Sequence, residues 1–231
     1  MPTNTFIPSL DHTAQIPAYL AQPDGTPRGT IIVVPEIFGV NPGIVAKVDG
    51  WARAGYVAIA HDVFWRQEAG VELDHDAPGD MQRALSMMQA HDFIAGLDDI
   101  RALIAWARQQ ASGKVGLVGF CMGGLIAYQA AARTDIDAAV GYYGVGLANL
   151  VGEASAIKGH LLLHVPTDDA FTPAEQQKAM HEGLDSVPNV TLYDYPGLGH
   201  GFAETKGSRR DEAGANLADQ RTAAFFEKFI G

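Results

Sequence analysis

A single cysteine, Cys121, in 231 residues rules out an internal disulfide and a CxxC zinc pair. The fold therefore needs no oxidising compartment, and a cytoplasmic location is expected. Positive charge is also scarce: 16 lysines and arginines stand against 27 aspartates and glutamates, a net charge of -11. Such a surface repels phosphate backbones and anionic lipid, so neither a nucleic-acid nor a membrane partner is expected. No apolar run approaches the roughly 20 residues that span a bilayer. The opening MPTNTFIPSLDHTAQ has neither the basic nor the apolar region of a secretion signal. Repeats, low-complexity tracts and Pro/Gly/Ser linkers are missing too, and the length suits one domain over 1–231.

What is present is an alternation. The run 30–35, TIIVVP, is β-branched and uncharged, as a strand buried on both faces must be. A helical stretch follows over 44–54, then the strand GYVAIAHDVF. The pattern repeats with a helix over 93–110, the strand KVGLVGF, a helix from Met122, the strands DAAVGYYG and HLLLHVP, a helix from Pro173, the strand NVTLYDYP and a last helix ending at Ile230. Strands and helices in this order predict an α/β fold, a mostly parallel sheet covered by helices on both faces. Ligands of such sheets bind at the carboxyl ends of the strands, so the loops leaving those ends matter most. HDAPGD, 75–80, reads as a polar loop or lid, and ETKGSRRDEAGANLADQ as a solvated loop leading into the last helix.

Within that pattern Gly119-Phe120-Cys121-Met122-Gly123-Gly124 follows a strand and precedes an apolar helix. This is a G-x-nucleophile-x-G elbow with cysteine as the nucleophile. The sharp turn holds the nucleophile in strained geometry, and side chains at the flanking positions would collide. A free thiol titrates near pH about 8.5, so it needs a base. Elbow hydrolases place the acid and the histidine on later loops, in that chain order. His200, between Gly199 and Gly201 after a strand, is the candidate base. His160, His164 and His181 read as packing or solvent-facing residues, and His12, His61, His75 and His91 precede the nucleophile. For the orienting carboxylate, the loop HVPTDDAFTP offers Asp168 and Asp169, one for the site and one to cap a turn or the next helix. Glu36 ends the buried strand beside Ile37, Phe38 and Gly39. That loop position and the residue after the nucleophile supply oxyanion-hole amides, so the N–H groups of Ile37 and Met122 are the expected donors.

Taken together, PEIFGVN, GYVAIAHDVFWR, KVGLVGFCMGG, AVGYYGVG, DAFTP and GLGHGFA resemble the dienelactone hydrolase (carboxymethylenebutenolidase) family of α/β-hydrolases over nearly the whole chain. The resemblance implies that Cys121 is the nucleophile, that Asp169 opens the D-x-x-x-P motif as the acid, and that His200 of G-H-x-F is the base. It also implies that Glu36 of E-I-F-G regulates protonation of the thiol. Two departures concern the substrate. Where the family has an arginine four residues after the histidine, this chain has Glu204. A second arginine and a nearby tyrosine fall on Met81 and Leu85. Arg83 or Arg66, the tandem Tyr142-Tyr143, and Phe38 are the substitutes the sequence offers for substrate binding, and a substrate less anionic than dienelactone is expected. The expected activity is hydrolysis of a small ester or lactone through a thioester acyl-enzyme. No cofactor or metal is expected, and the chain is expected to be a monomer or weak oligomer. The alternative is a non-catalytic binding protein on the same fold; redox sensing and peptidase action are disfavoured by the lone cysteine.

Overall fold

The computed structural model describes residues 1–231, which form two compact units, Met1–Val115 and Gly116–Gly231. In the first unit the strands are β1 (Thr5–Pro8), β2 (Gln15–Ala21), β3 (Thr30–Val34) and β4 (Val57–His61), ordered β1-β2-β4-β3 across the sheet. β3 and β4 run parallel, with Ile31 opposite Ala58, and every residue of both is buried, as their uncharged sequences demand. β1 and β2 add an antiparallel edge, Phe6 opposite Pro17 and Ala18 opposite His61. The connecting helix α1 (Pro42–Arg53) starts where proline fits without losing a hydrogen bond, and the Asn41 side chain accepts from Ile44 N–H at 3.1 Å. α2 (Asp80–Gln89) follows Gly79, and α3 (Phe93–Ala107) is capped by Asp92, which accepts from the N–H groups of Ile94 and Ala95.

The second unit carries β5 (Val115–Phe120), β6 (Ala138–Tyr142), β7 (His160–Pro166) and β8 (Val190–Tyr195), parallel neighbours in that order. The connections are α4 (Met122–Arg133), a 3-10 segment (Leu147–Ala156) and α5 (Ala174–Leu184), and the chain ends in α6 (Glu212–Phe229). β5 and β6 are buried throughout, whereas the outer strand β8 is buried only at its two ends, Val190 and Tyr195. The carboxyl ends of β5, β7 and β8 deliver the elbow, the DDAFTP loop and the GLGHGF loop.

Four elements depart from the sequence reading. β1 and β2 lie in the N-terminal stretch that carries no expected strand. α2 follows the turn-rich 75–80 as a separate helix, with only Ala84 and Met87 buried. The charged stretch 204–220 is a loop only in its first part: Asp211 accepts from Gly214 N–H at 2.7 Å, and the chain is helical from Glu212.

Candidate active site

Cys121 sits between β5 and α4 at φ 54, ψ −113, one of three non-glycine residues with positive φ. Such a conformation costs on the order of 1–3 kcal/mol and persists only where the surroundings enforce it. Here the Cys121 N–H donates to the Tyr142 carbonyl at 3.0 Å, and its own carbonyl accepts from Gly124 N–H at 2.9 Å, starting α4. A methyl at Gly119 would collide with the Gly123 carbonyl, and one at Gly124 would lie 2.8 Å from both Gly144 Cα and the Tyr142 carbonyl oxygen. The glycines of the motif are thus the space that lets α4 pack against the ends of β5 and β6. Met122, the first helical residue, has no carbonyl one turn back to accept its N–H, which leaves that donor for an anion.

Asp169 is buried after β7. Its Oδ2 accepts from His200 Nδ1 at 2.8 Å, and its Oδ1 accepts from Phe171 N–H at 2.8 Å. With both oxygens engaged, the carboxylate holds the imidazole in one orientation and leaves Nε2 as the nitrogen able to take a proton. The ring lies between Tyr143, 5.0 Å between centroids, and Phe171, 4.8 Å away. Asp168 makes no such pair: its backbone N–H donates to the Leu198 carbonyl at 2.9 Å and ties the two loops together. The division of labour expected between the two aspartates is corrected accordingly. Asp169 itself makes the turn-capping bond, and α5 begins at Ala174 behind Pro173, with no side-chain cap.

Within the first unit, Glu36, Ile37 and Phe38 are all buried in the turn after β3. Gly39 closes it at φ 71, where a Cβ would strike the Val71 carbonyl, and Leu73 N–H donates to the Phe38 carbonyl at 2.9 Å. The Phe38 ring lies 6.0 Å from His75. His75 pairs with Asp76 at 3.0 Å, and Asp74, His75 and Asp76 form the only cluster with metal-ligand spacing; both carboxylates are exposed. Arg66 is held by the buried Asp99 at 2.6 Å and Arg83 by Glu68 at 2.6 Å, each guanidinium already paired. Met81 and Leu85 lie on α2.

Tyr142 is a correction. Its ring is in the core and its hydroxyl donates to Asp219 Oδ1 at 2.9 Å, so it offers no phenol to a substrate; the adjacent Tyr143 instead faces His200. Glu204 is buried and ion-paired with Arg209, and its carbonyl accepts from Arg210 Nη1 at 2.6 Å. Sequence reading missed Arg209. Its guanidinium passes so close to the histidine loop that a Cβ on Gly201 would lie 3.0 Å from its Nε. Only the acid-base alternation of this stretch hinted at the pair. Missed as well is Phe171, half exposed beside the imidazole.

A buried chain also runs under the elbow. Because the Tyr142 hydroxyl gives its proton to Asp219, Thr222 must donate to Tyr142 oxygen, at 2.6 Å. Thr222 then needs its own donor, which is His164 Nε2 at 2.9 Å, and His164 Nδ1 accepts from the Tyr195 hydroxyl at 2.7 Å. Burial, and then the charge of Arg221, push the His164 pKa down to about 3, so the ring is neutral and the tautomer is fixed.

A sequence profile of the dienelactone hydrolase family matches residues 16–230. The chain belongs to the dienelactone hydrolase family. It is 37% identical to a carboxymethylenebutenolidase from Pseudomonas putida over 210 residues, covering 90% of this chain and 89% of the relative. It is 34% identical to carboxymethylenebutenolidase 1 of Cupriavidus pinatubonensis, covering 89% and 88%. The crystal structure of a Klebsiella pneumoniae protein assigned to the dienelactone hydrolases superposes with a TM-score of 0.83 at 29% identity, over 97% of both chains. The fold is accordingly that of the α/β-hydrolases, and no helix is long and apolar enough to cross a membrane.

Proposed function

We propose that the protein hydrolyses a small carboxylic ester or lactone, with Cys121 as nucleophile, His200 as base and Asp169 as the group that orients it. The observation that carries this reading is the pair of His200 with the buried Asp169 at 2.8 Å, one short loop from β7 and β8, in the same unit as a cysteine held at positive φ. His200 Nε2 takes the thiol proton as sulfur adds to the carbonyl carbon. The amides of Met122 and Ile37 bind the oxyanion, and the imidazolium returns the proton to the departing alkoxide or enolate. Water, deprotonated by the same nitrogen, then cleaves the thioester, releasing the carboxylic acid and restoring the thiol. The family resemblance adds Glu36 as the regulator of thiol protonation. A carboxylate opposes a thiolate beside it, or takes the thiol proton itself.

The family membership supports a small-molecule substrate, and a single profile through 16–230 supports reading both units as parts of one hydrolase domain. The lone cysteine supports a reducing, cytoplasmic setting. Because Glu204 engages Arg209 at the position of the family's arginine, the preferred substrate is a neutral ester or lactone. The test is a burst assay with p-nitrophenyl acetate, followed by mass mapping of the acetylated enzyme and then a panel of lactones with and without a carboxylate. A burst with acetyl on Cys121 is expected. No burst above the Cys121→Ala background, with the lactones also inert, would favour the binding-protein reading. Activity confined to carboxylated lactones would refute the neutral preference. For Glu36, iodoacetamide rates of Glu36→Gln and the parent over a pH series decide: identical profiles remove it from activation.

A further inference from the structure

At the other end of β7 from Asp169, the second unit carries an open groove of about 440 Å³ between β8 and the last turns of α6. β7 begins at His160, and its seven residues at roughly 3.3 Å each set this groove about 20 Å from the DDAFTP loop. The volume is that of a small-molecule site. Its walls are aromatic: the His160 and Phe229 rings stack with centroids 3.6 Å apart and 18° between planes, Phe225 meets Phe229 edge-on at 4.9 Å, and Tyr193 forms the β8 side. Its charges are all positive. Arg221 lies over the Tyr193 ring at 3.9 Å and Lys228 over the Phe229 ring at 4.8 Å. Neither cation is in an ion pair, and no aspartate or glutamate lines the groove.

In a chain of net charge -11, two cations held on aromatic faces with no carboxylate between them are not accounted for by solvation of the surface. Arg221 gives one N–H to the Tyr195 hydroxyl oxygen, and a stacked guanidinium, with five N–H groups, has others for a carboxylate; flat ring walls favour a flat ligand. We infer that this groove binds a small aromatic carboxylate, its ring against Phe225 and Phe229 and its carboxylate between Arg221 and Lys228. The inference stands apart from the chemistry of Cys121.

The probe is benzoate, titrated calorimetrically into protein whose only cysteine has been alkylated with iodoacetamide, so that the catalytic site is blocked. Saturable binding is expected, weakened about tenfold or more for neutral benzamide, and weakened at least fivefold by Lys228→Gln, an exposed substitution that leaves the core alone, and by Arg221→Gln. The inference is overturned if no saturation appears up to about 20 mM benzoate, if benzamide binds equally well, or if both variants keep the parent affinity. It is also overturned if sedimentation shows a dimer that Lys228→Gln dissociates, since a second copy would then fill the groove.

Discussion

Lowering the pH from 8 to 5 removes a calculable part of the stability, because two histidines are buried neutral. Burial pushes His164 down to about 3, aided by Arg221, and pushes His61 down to about 4, against the pull of Asp99. Both lie below the ordinary value of about 6.5, so as pH falls through 6.5 the unfolded chain takes up protons that the native state refuses. The stability is fully present above 6.5 and is lost on the acid side. By linkage each residue costs about 2 kcal/mol at pH 5, about 4 kcal/mol together, a large share of the roughly 5–15 kcal/mol of a typical domain. His91 adds in the same direction through burial. His181 opposes it, since its partial burial is outweighed by hydrogen bonds to Asp185 and Asp194 that raise its pKa. The assay is urea unfolding followed by far-UV circular dichroism at pH 8, 7, 6 and 5, in parent and His164→Gln. Glutamine keeps a donor for Thr222 and loses the acceptor for Tyr195, so the variant is less stable at pH 8 by about 1–3 kcal/mol. Its further loss on going to pH 5 is smaller than the parent's by about 2 kcal/mol. An unchanged pH 8 to 5 difference in His164→Gln would refute the neutral, Nε2-protonated assignment; nitrogen NMR of the imidazole reads the same tautomer directly.

Three further outcomes follow from the site. Asp169→Asn keeps the fold by circular dichroism but lowers kcat for p-nitrophenyl acetate by about 10²–10⁴, since the amide no longer fixes the imidazole; a drop of less than tenfold would remove Asp169 from the mechanism. Gly119→Ala drives a methyl into the Gly123 carbonyl and costs more than about 4 kcal/mol or prevents folding, whereas Gly152→Ala, with nothing within 4 Å, stays within about 0.5 kcal/mol; thermal melts compare them. Phe171→Ala, at a residue 51% exposed, changes stability by less than about 1 kcal/mol but raises KM for aryl esters several-fold with kcat nearly kept; equal KM values would show that the ring does not contact substrate.

The elbow is legible in the chain because its constraint is steric and local: Gly119 and Gly124 are where two backbones touch, and only glycine writes that into a sequence. β3, β4 and β5 are legible for a similar reason, since burial on both faces demands unbroken apolar runs. β1 escapes notice because it has only four residues and ends in a proline, and β2 because Pro17 interrupts its apolar run near the start. α2 escapes because only two of its ten residues are buried, too few to mark a face. The Glu204–Arg209 pair depends on a turn whose path no residue pattern announces.

The tandem tyrosines show the limit most clearly. Tyr142 closes β6 with its ring in the core, whereas Tyr143, at φ 39 in the turn that follows, brings its ring to His200; composition is identical at both positions. The choice is made by α6, which offers Asp219 and Thr222 to one hydroxyl only. That choice reaches the chemistry, because the Tyr142 carbonyl accepts the Cys121 N–H. Cys121 is therefore held from both sides: by motif glycines visible in the sequence, and by a hydrogen-bonded chain from Tyr195 through His164, Thr222 and Tyr142 to Asp219, whose members bear no motif. Removing the donor from Tyr195, His164 or Thr222 leaves a buried acceptor unsatisfied, so its effect on the elbow exceeds that of a surface hydrogen bond.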